Sequence, residues 1–148
     1  MPWELTPISA GGFATAAVYA ALALVAWEHR DTRCGYEVVA IIAVVGCSAV
    51  SYSVQFGFDS VSAQAAWWRL SFVLSTAVPL LWLVFVARYV GRPRLLTRRH
   101  VGILAVEPLA AGTAALTNHV HGLVWRVPST TVSAGSAIEI TFGPLYYA

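Results

Sequence analysis

The chain has 148 residues, of which 58% are hydrophobic and only 11% charged, with a net charge of +2. Soluble domains carry about 25% charged residues, so the charge deficit excludes an ordinary soluble fold, and the mean hydropathy of +0.69 points to lipid as the solvent. The small positive balance gives no case for nucleic-acid binding, and all nine basic residues are Arg, so no Lys is present for a retinal Schiff base.

The N-terminal segment MPWELTPISAGG has no basic residue and carries Glu4. A secretory leader has a basic start and a short apolar core, so the first apolar run is expected to stay as a span over about 8–27. Its small residues, among them Ala10, Ala14, Ala16, Ala17, Ala20 and Ala21, permit close helix approach in lipid. A polar loop follows over 28–37, with Arg30 and Arg33. The second span is expected over about 37–58. It is rich in Val and Ile, but its length and lack of alternation favour a helix over a strand. Cys34 and Cys47 are the only cysteines, and on a helix they would lie about 20 Å apart, beyond disulfide reach.

The next loop, 59–66, has no basic residue, and Trp67-Trp68 mark an interface. The third span is expected over about 68–90. Its uncharged core, 70–87, would extend about 27 Å as a helix, close to the hydrocarbon thickness of a bilayer. Pro79 lies inside it and predicts a kink. It removes a donor to the carbonyl of Ser75, which the hydroxyls of Ser75 or Thr76 can help to compensate. After it come five of the nine arginines: Arg88, Arg92, Arg94, Arg98 and Arg99. The fourth span is expected over about 101–120, with a second kink at Pro108. The rest reads as a short β-hairpin over about 129–142, turning at Ala134-Gly135-Ser136. Residues 143–148 look like the opening of a fifth span, so the chain reads as cut off rather than finished.

The loops at 28–37 and 91–100 hold six of the nine arginines, so the positive-inside rule places both in the cytoplasm and the N-terminus outside. The arginine cluster then serves as a cytoplasmic anchor. The fold class expected is an all-α membrane protein: an antiparallel bundle of four spans with an extracellular hairpin-like segment.

Ionisable residues inside a span are functional candidates by default. Glu107 is the sharpest, able to accept a proton, pair with an Arg or bond across helices; the bland alternative is a locally bonded carboxyl beside a proline. Asn118, His119 and His121 lie near the outer end of the fourth span, where they either line an outward-facing ligand pocket or simply shape a helix-end turn closed by Gly122. Two histidines two apart do not share a helix face and have no third ligand nearby, so no metal and no cofactor are assigned. Arg69 beside the tryptophans is a further ligand candidate, or a side chain reaching the surface.

These features resemble the N-terminal seven-helix membrane region of histidine kinases. The similar stretches are PLLWLVFVARYVGR at 79–92, VEPLAAGTAALTNHVHGLVW at 106–125 and the terminal GPLYYA. The resemblance covers all 148 residues as the first four spans and the hairpin. It implies a sensory input role in a two-component system, with later spans and cytoplasmic signalling domains, or a partner kinase, as partners beside the lipid bilayer. No kinase chemistry is expected in this chain. Faces left open by the missing helices favour homo-oligomers. The alternative reading is a small proton-coupled multidrug or ion transporter that uses Glu107.

Overall fold

A computed structural model describes residues 3–128 and 132–147. Thr6 caps the first helix, α1 (Pro7–Glu28): its hydroxyl accepts from Ser9 N at 3.2 Å, and Ser9 Oγ accepts from Thr6 N at 2.9 Å. This reciprocal pair satisfies two amides at a helix start, and Pro7 occupies the first-turn position that needs no donor. After a short turn, α2 runs over Gly35–Gln55. The next helix, α3, spans Val61–Tyr89 and passes through Pro79 without a break; α4 spans Arg98–His121 and likewise contains Pro108. Two short strands, β1 (Trp125–Arg126) and β2 (Thr141–Phe142), pair antiparallel beyond α4.

All four helices are long and apolar enough to cross a membrane, and the protein is a multi-pass membrane protein. It is 72% helical. Among the described residues, each helix packs mainly on its neighbour in the chain, giving an open antiparallel row α1–α2–α3–α4. Its two ends differ. One carries the arginine cluster (the basic end), and the other carries the β1–β2 segment (the capped end).

At the basic end, the ion pair of the described residues joins Arg88 on α3 to Glu37 on α2. Arg33 also donates to the Arg88 carbonyl at 3.2 Å. Midway along α2 and α3, Ser48 and Ser71 hydroxyls lie 3.0 Å apart and each also donates to the other's carbonyl. Close α1–α2 contact depends on Gly12, where an added β-carbon would overlap the side chain of Ser53.

The capped end is knitted around the α2–α3 turn. The last carbonyls of a helix lack intrahelical partners, and here three separate segments supply donors. Trp3 Nε1 reaches Val54 O at 3.0 Å and Glu4 N reaches Gly57 O at 2.9 Å. Thr6 Oγ1 and Gly135 N both donate to Phe56 O, at 3.4 and 2.7 Å. Gln64 Nε2 donates to Phe58 O at 2.7 Å, and its side chain is fully buried. That last bond explains why α3 begins at Val61, ahead of Trp67-Trp68. Within 61–66, Ser62 and Gln64 interrupt the apolar pattern, yet Ala63, Ala65 and Ala66 favour helix, and Gln64 finds its partner inside.

The turn expected near Ala134-Gly135-Ser136 forms: Ser136 N donates to Ser133 O at 3.0 Å, and Gly135 has φ of 83°. The strand pairing differs. Trp125 faces Phe142 and Arg126 faces Thr141, so the ladder starts upstream of 129, where the side chain of Asn118 fixes the backbone of Trp125. Residues 129–131 of the expected first arm lie outside the described residues, as does Ala148 at the expected fifth-span start. Residues Pro144–Tyr146 form a 3-10 turn held by Leu145 N to Leu123 O at 3.1 Å. The hydroxyls near Pro79 also act differently from expectation. Ser75 donates to Phe72 O and Thr76 to Val73 O, each at 2.7 Å, because a helical hydroxyl reaches back toward carbonyls of the preceding turn.

Thr6 thus serves two ends at once, capping α1 and holding Phe56 O. Thr6→Val keeps the shape and removes both roles; stability to unfolding in detergent should fall by about 1 kcal/mol, the usual worth of a lost helix cap. An unchanged unfolding midpoint would contradict the arrangement.

Candidate functional site

Glu107, Ala110, Ala111 and Ala114 follow at i, i+3, i+4 and i+7, so they line one face of α4. Three of the four are alanines, which leaves room where larger side chains would close the gap to α3. Opposite them stand Phe72 and Thr76, one turn apart on α3. Thr76 lies 3.5 Å from the Pro108 carbonyl, and Gly112 is buried against this part of α3. The result is a cavity of about 410 Å3 with Glu107 among its lining residues and Val124, Leu145 and Tyr146 bounding it toward the capped end.

Glu107 is exposed and lines the cavity, and it has no ion-pair partner among the described residues. Nine residues separate it from the start of α4 at Arg98, or about 14 Å along the helix. An unpaired carboxyl at that depth costs a few kcal/mol on insertion scales. The cavity therefore combines an apolar slot, one hydroxyl and one carboxyl, a set that suits an amphiphile with an amine or hydroxyl donor.

The wall toward the capped end is built from aromatics. Trp125 is 3% exposed, meets Trp68 edge-on at 4.4 Å between centroids and packs on Phe72 at 5.2 Å. Tyr146 stacks on Phe142 at 4.0 Å and approaches Phe72 at 6.5 Å. Asn118 sets this arrangement. It is 6% exposed, its Oδ1 accepts from Val124 N at 2.9 Å and Trp125 N at 3.3 Å, and its Nδ2 donates to Trp125 O at 2.8 Å. One amide side chain thus does the pairing work of a neighbouring strand. Gly122 ends α4 in the left-handed region, with φ of 60° and its N–H on Asn118 O at 2.8 Å.

The other sequence candidates separate. His119 is exposed and its Nδ1 contacts Leu116 O at 3.2 Å; His121 Nδ1 accepts from Leu123 N at 3.0 Å, while its Nε2 contacts the Thr117 hydroxyl at 3.2 Å. Neither lines the cavity, and Asn118 is occupied by the backbone it holds. Arg69 follows the spacing of Phe72 and Thr76 on α3, one turn nearer the capped end. It is half-buried, and its Nε is enclosed without a partner among the described residues. Phe72, Thr76 and Tyr146 are absent from the sequence-based candidates. The signal available for two of them was the alanine face of α4 set against the Phe72/Thr76 spacing on α3.

The family described as the N-terminal 7TM region of histidine kinase matches residues 12–148, and the chain belongs to it. This family is the membrane input region of those kinases and not their catalytic domain. No curated protein and no solved structure matches the chain.

Removing the Asn118 amide leaves three backbone groups of a buried turn without partners. Asn118→Ala should lower stability by about 1–3 kcal/mol and raise the acrylamide quenching of the protein's tryptophan fluorescence. A variant that keeps both its unfolding midpoint and its quenching would show that the cap does not depend on this side chain.

Proposed function

We propose that this region of a histidine-kinase family member is the sensory input module of a two-component-type signalling protein. It passes a stimulus through helix rearrangement to cytoplasmic output domains or a partner kinase. The observation that supports the reading best is the cavity between α3 and α4. Its end wall belongs to the cap, its sides belong to two spans, and it contains the carboxyl of Glu107. A ligand seated there touches Tyr146 of the cap and Thr76 of α3 at once. It thereby biases the relative position of α3 and α4, whose far ends carry the arginine loop. Arg69, at the capped end of the same α3 face and outside the cavity lining, would meet an anionic or polar group that extends past Phe72.

In this reading the arginine-bearing loops 28–37 and 91–100 are cytoplasmic and the cap is outside, following the positive-inside rule. Arg88, Arg92, Arg94, Arg98 and Arg99 then anchor the inner end. Pro79 and Pro108 flank the α3–α4 contact and supply places where the two helices bend. Cys34 is buried, so the native thiol is a poor reporter of sidedness; the exposed positions Thr32 and Glu139 are better ones. In a cysteine-free background, Glu139→Cys should react with an impermeant maleimide in whole cells and Thr32→Cys should not. The reverse pattern would overturn the orientation.

The sensory role is tested by joining the region to a histidine kinase output and measuring autophosphorylation. Glu107→Gln keeps size and hydrogen bonding but removes the charge. Basal kinase activity or its response to stimulus should change while expression and unfolding midpoint stay as in the parent. Unchanged activity and response would remove Glu107 from the mechanism. A proton flux in proteoliposomes that this substitution abolishes would favour the transporter reading instead.

A further inference from the structure

At the basic end the sequence stops α3 with Gly91, whose φ of 75° suits a residue without a β-carbon. Gly91 N donates to Arg88 O at 3.0 Å, and Arg92 N reaches back to Ala87 O at 2.9 Å. This pair of reversed bonds closes the helix and folds the chain over its last turn. The 3-10 turn Pro93–Leu96 and the start of α4 at Arg98 follow directly. Between them and α3 lies a cavity of about 300 Å3, walled by aliphatic residues including Leu83, Val86, Ala87, Val90 and Leu104. Among the described residues that line it, Arg92 is the one with a charge.

Along this stretch of the chain the charge is one-sided. The chain has no carboxylate between Asp59 and Glu107, whereas Arg88, Arg92, Arg94, Arg98 and Arg99 fall in that interval. Arg88 is engaged by Glu37. Arg92, Arg94, Arg98 and Arg99 are all exposed at the end of the spans, where headgroups lie. The groove itself runs along the last turns of the apolar helix α3, up to the residue that ends it.

We propose that this groove is a binding site for an anionic phospholipid, with an acyl chain along its aliphatic walls and the phosphate against Arg92. A free phosphate would use the guanidinium and not the walls; an apolar helix would use the walls and leave the charge unanswered. An anionic lipid matches both, and basic pockets between spans bind such headgroups by this chemistry. The lipid would join the end of α3 to the start of α4, the same two helices that flank the upper cavity, at their opposite ends.

The test uses the protein in nanodiscs of equal phosphatidylglycerol and phosphatidylcholine, with lipid retained on release counted by native mass spectrometry. Phosphatidylglycerol should be retained in preference to phosphatidylcholine. Arg92→Gln should reduce that preference about fivefold, the loss of one direct guanidinium–phosphate contact. Arg99→Gln, which makes the same charge change away from the groove, should leave it near the parent value. Ala87→Phe, which fills the groove without altering charge, should reduce it as Arg92→Gln does. Equal losses for Arg92→Gln and Arg99→Gln would reveal diffuse attraction by the arginine loop and overturn the site, even if Ala87→Phe fails to fold. Displacement of retained lipid by added glycerol phosphate would also overturn it, marking a site for a soluble anion.

Discussion

A helix that ends inside or at the edge of a bilayer must find partners for its last carbonyls, since lipid offers none. Here the end of α2 and the turn after it set the whole capped end. Val54, Phe56, Gly57 and Phe58 expose carbonyls that are taken by Trp3, Glu4, Thr6, Gln64 and Gly135. Those donors come from the lead into α1, the first turn of α3 and the loop between β1 and β2. Three parts of the chain distant in sequence are thereby fixed to one turn. The open row of helices gains at this end a closure that side-by-side packing alone does not supply.

The cap is fastened a second time through Asn118 and the aromatic group around Trp125. These two fastenings lie on opposite sides of the same segment. Gly135 reaches back to α2–α3, and Trp125 sits over α3 and α4. Leu145 and Tyr146, which border the Glu107 cavity, extend from this doubly fastened piece. In the sensory reading, occupation of the cavity therefore acts on a rigid element tied to three spans, and a small displacement there is felt along α3 and α4. Larger interfaces with bistable packing transmit such shifts more readily than deformable ones.

Much of the architecture was legible in sequence because the bilayer imposes a simple length rule. Four apolar runs give four helices, and the proline and arginine positions stand where hydropathy places them. The start of α3 at Val61 was not, because 59–66 reads as a loop ahead of Trp67-Trp68 until Gln64 is seen buried with its amide on Phe58 O. The strand pairing was also hidden. Two-residue strands carry almost no periodicity, and their register comes from an Asn side chain acting in place of a strand. Glu107 announced itself by charge alone, whereas the cavity around it required knowing that its alanine face meets Phe72 and Thr76. Asn118 was noticed for its polarity, yet all three of its side-chain hydrogen bonds serve the backbone of the next turn.

The central claim is that the capped end is one hydrogen-bonded unit built on the carbonyls of the α2–α3 turn. Amide hydrogen exchange in nanodiscs, compared between the parent and Gly135→Pro, tests it most directly. The substitution removes the donor to Phe56 O and, since proline cannot hold the φ of 83° found here, opens the turn around it, while the bond from Glu4 N to Gly57 O is untouched in itself. Coupled segments predict faster exchange at Glu4 as well as in the 132–138 loop. Exchange that rises in the loop while Glu4 stays as slow as in the parent would contradict the account.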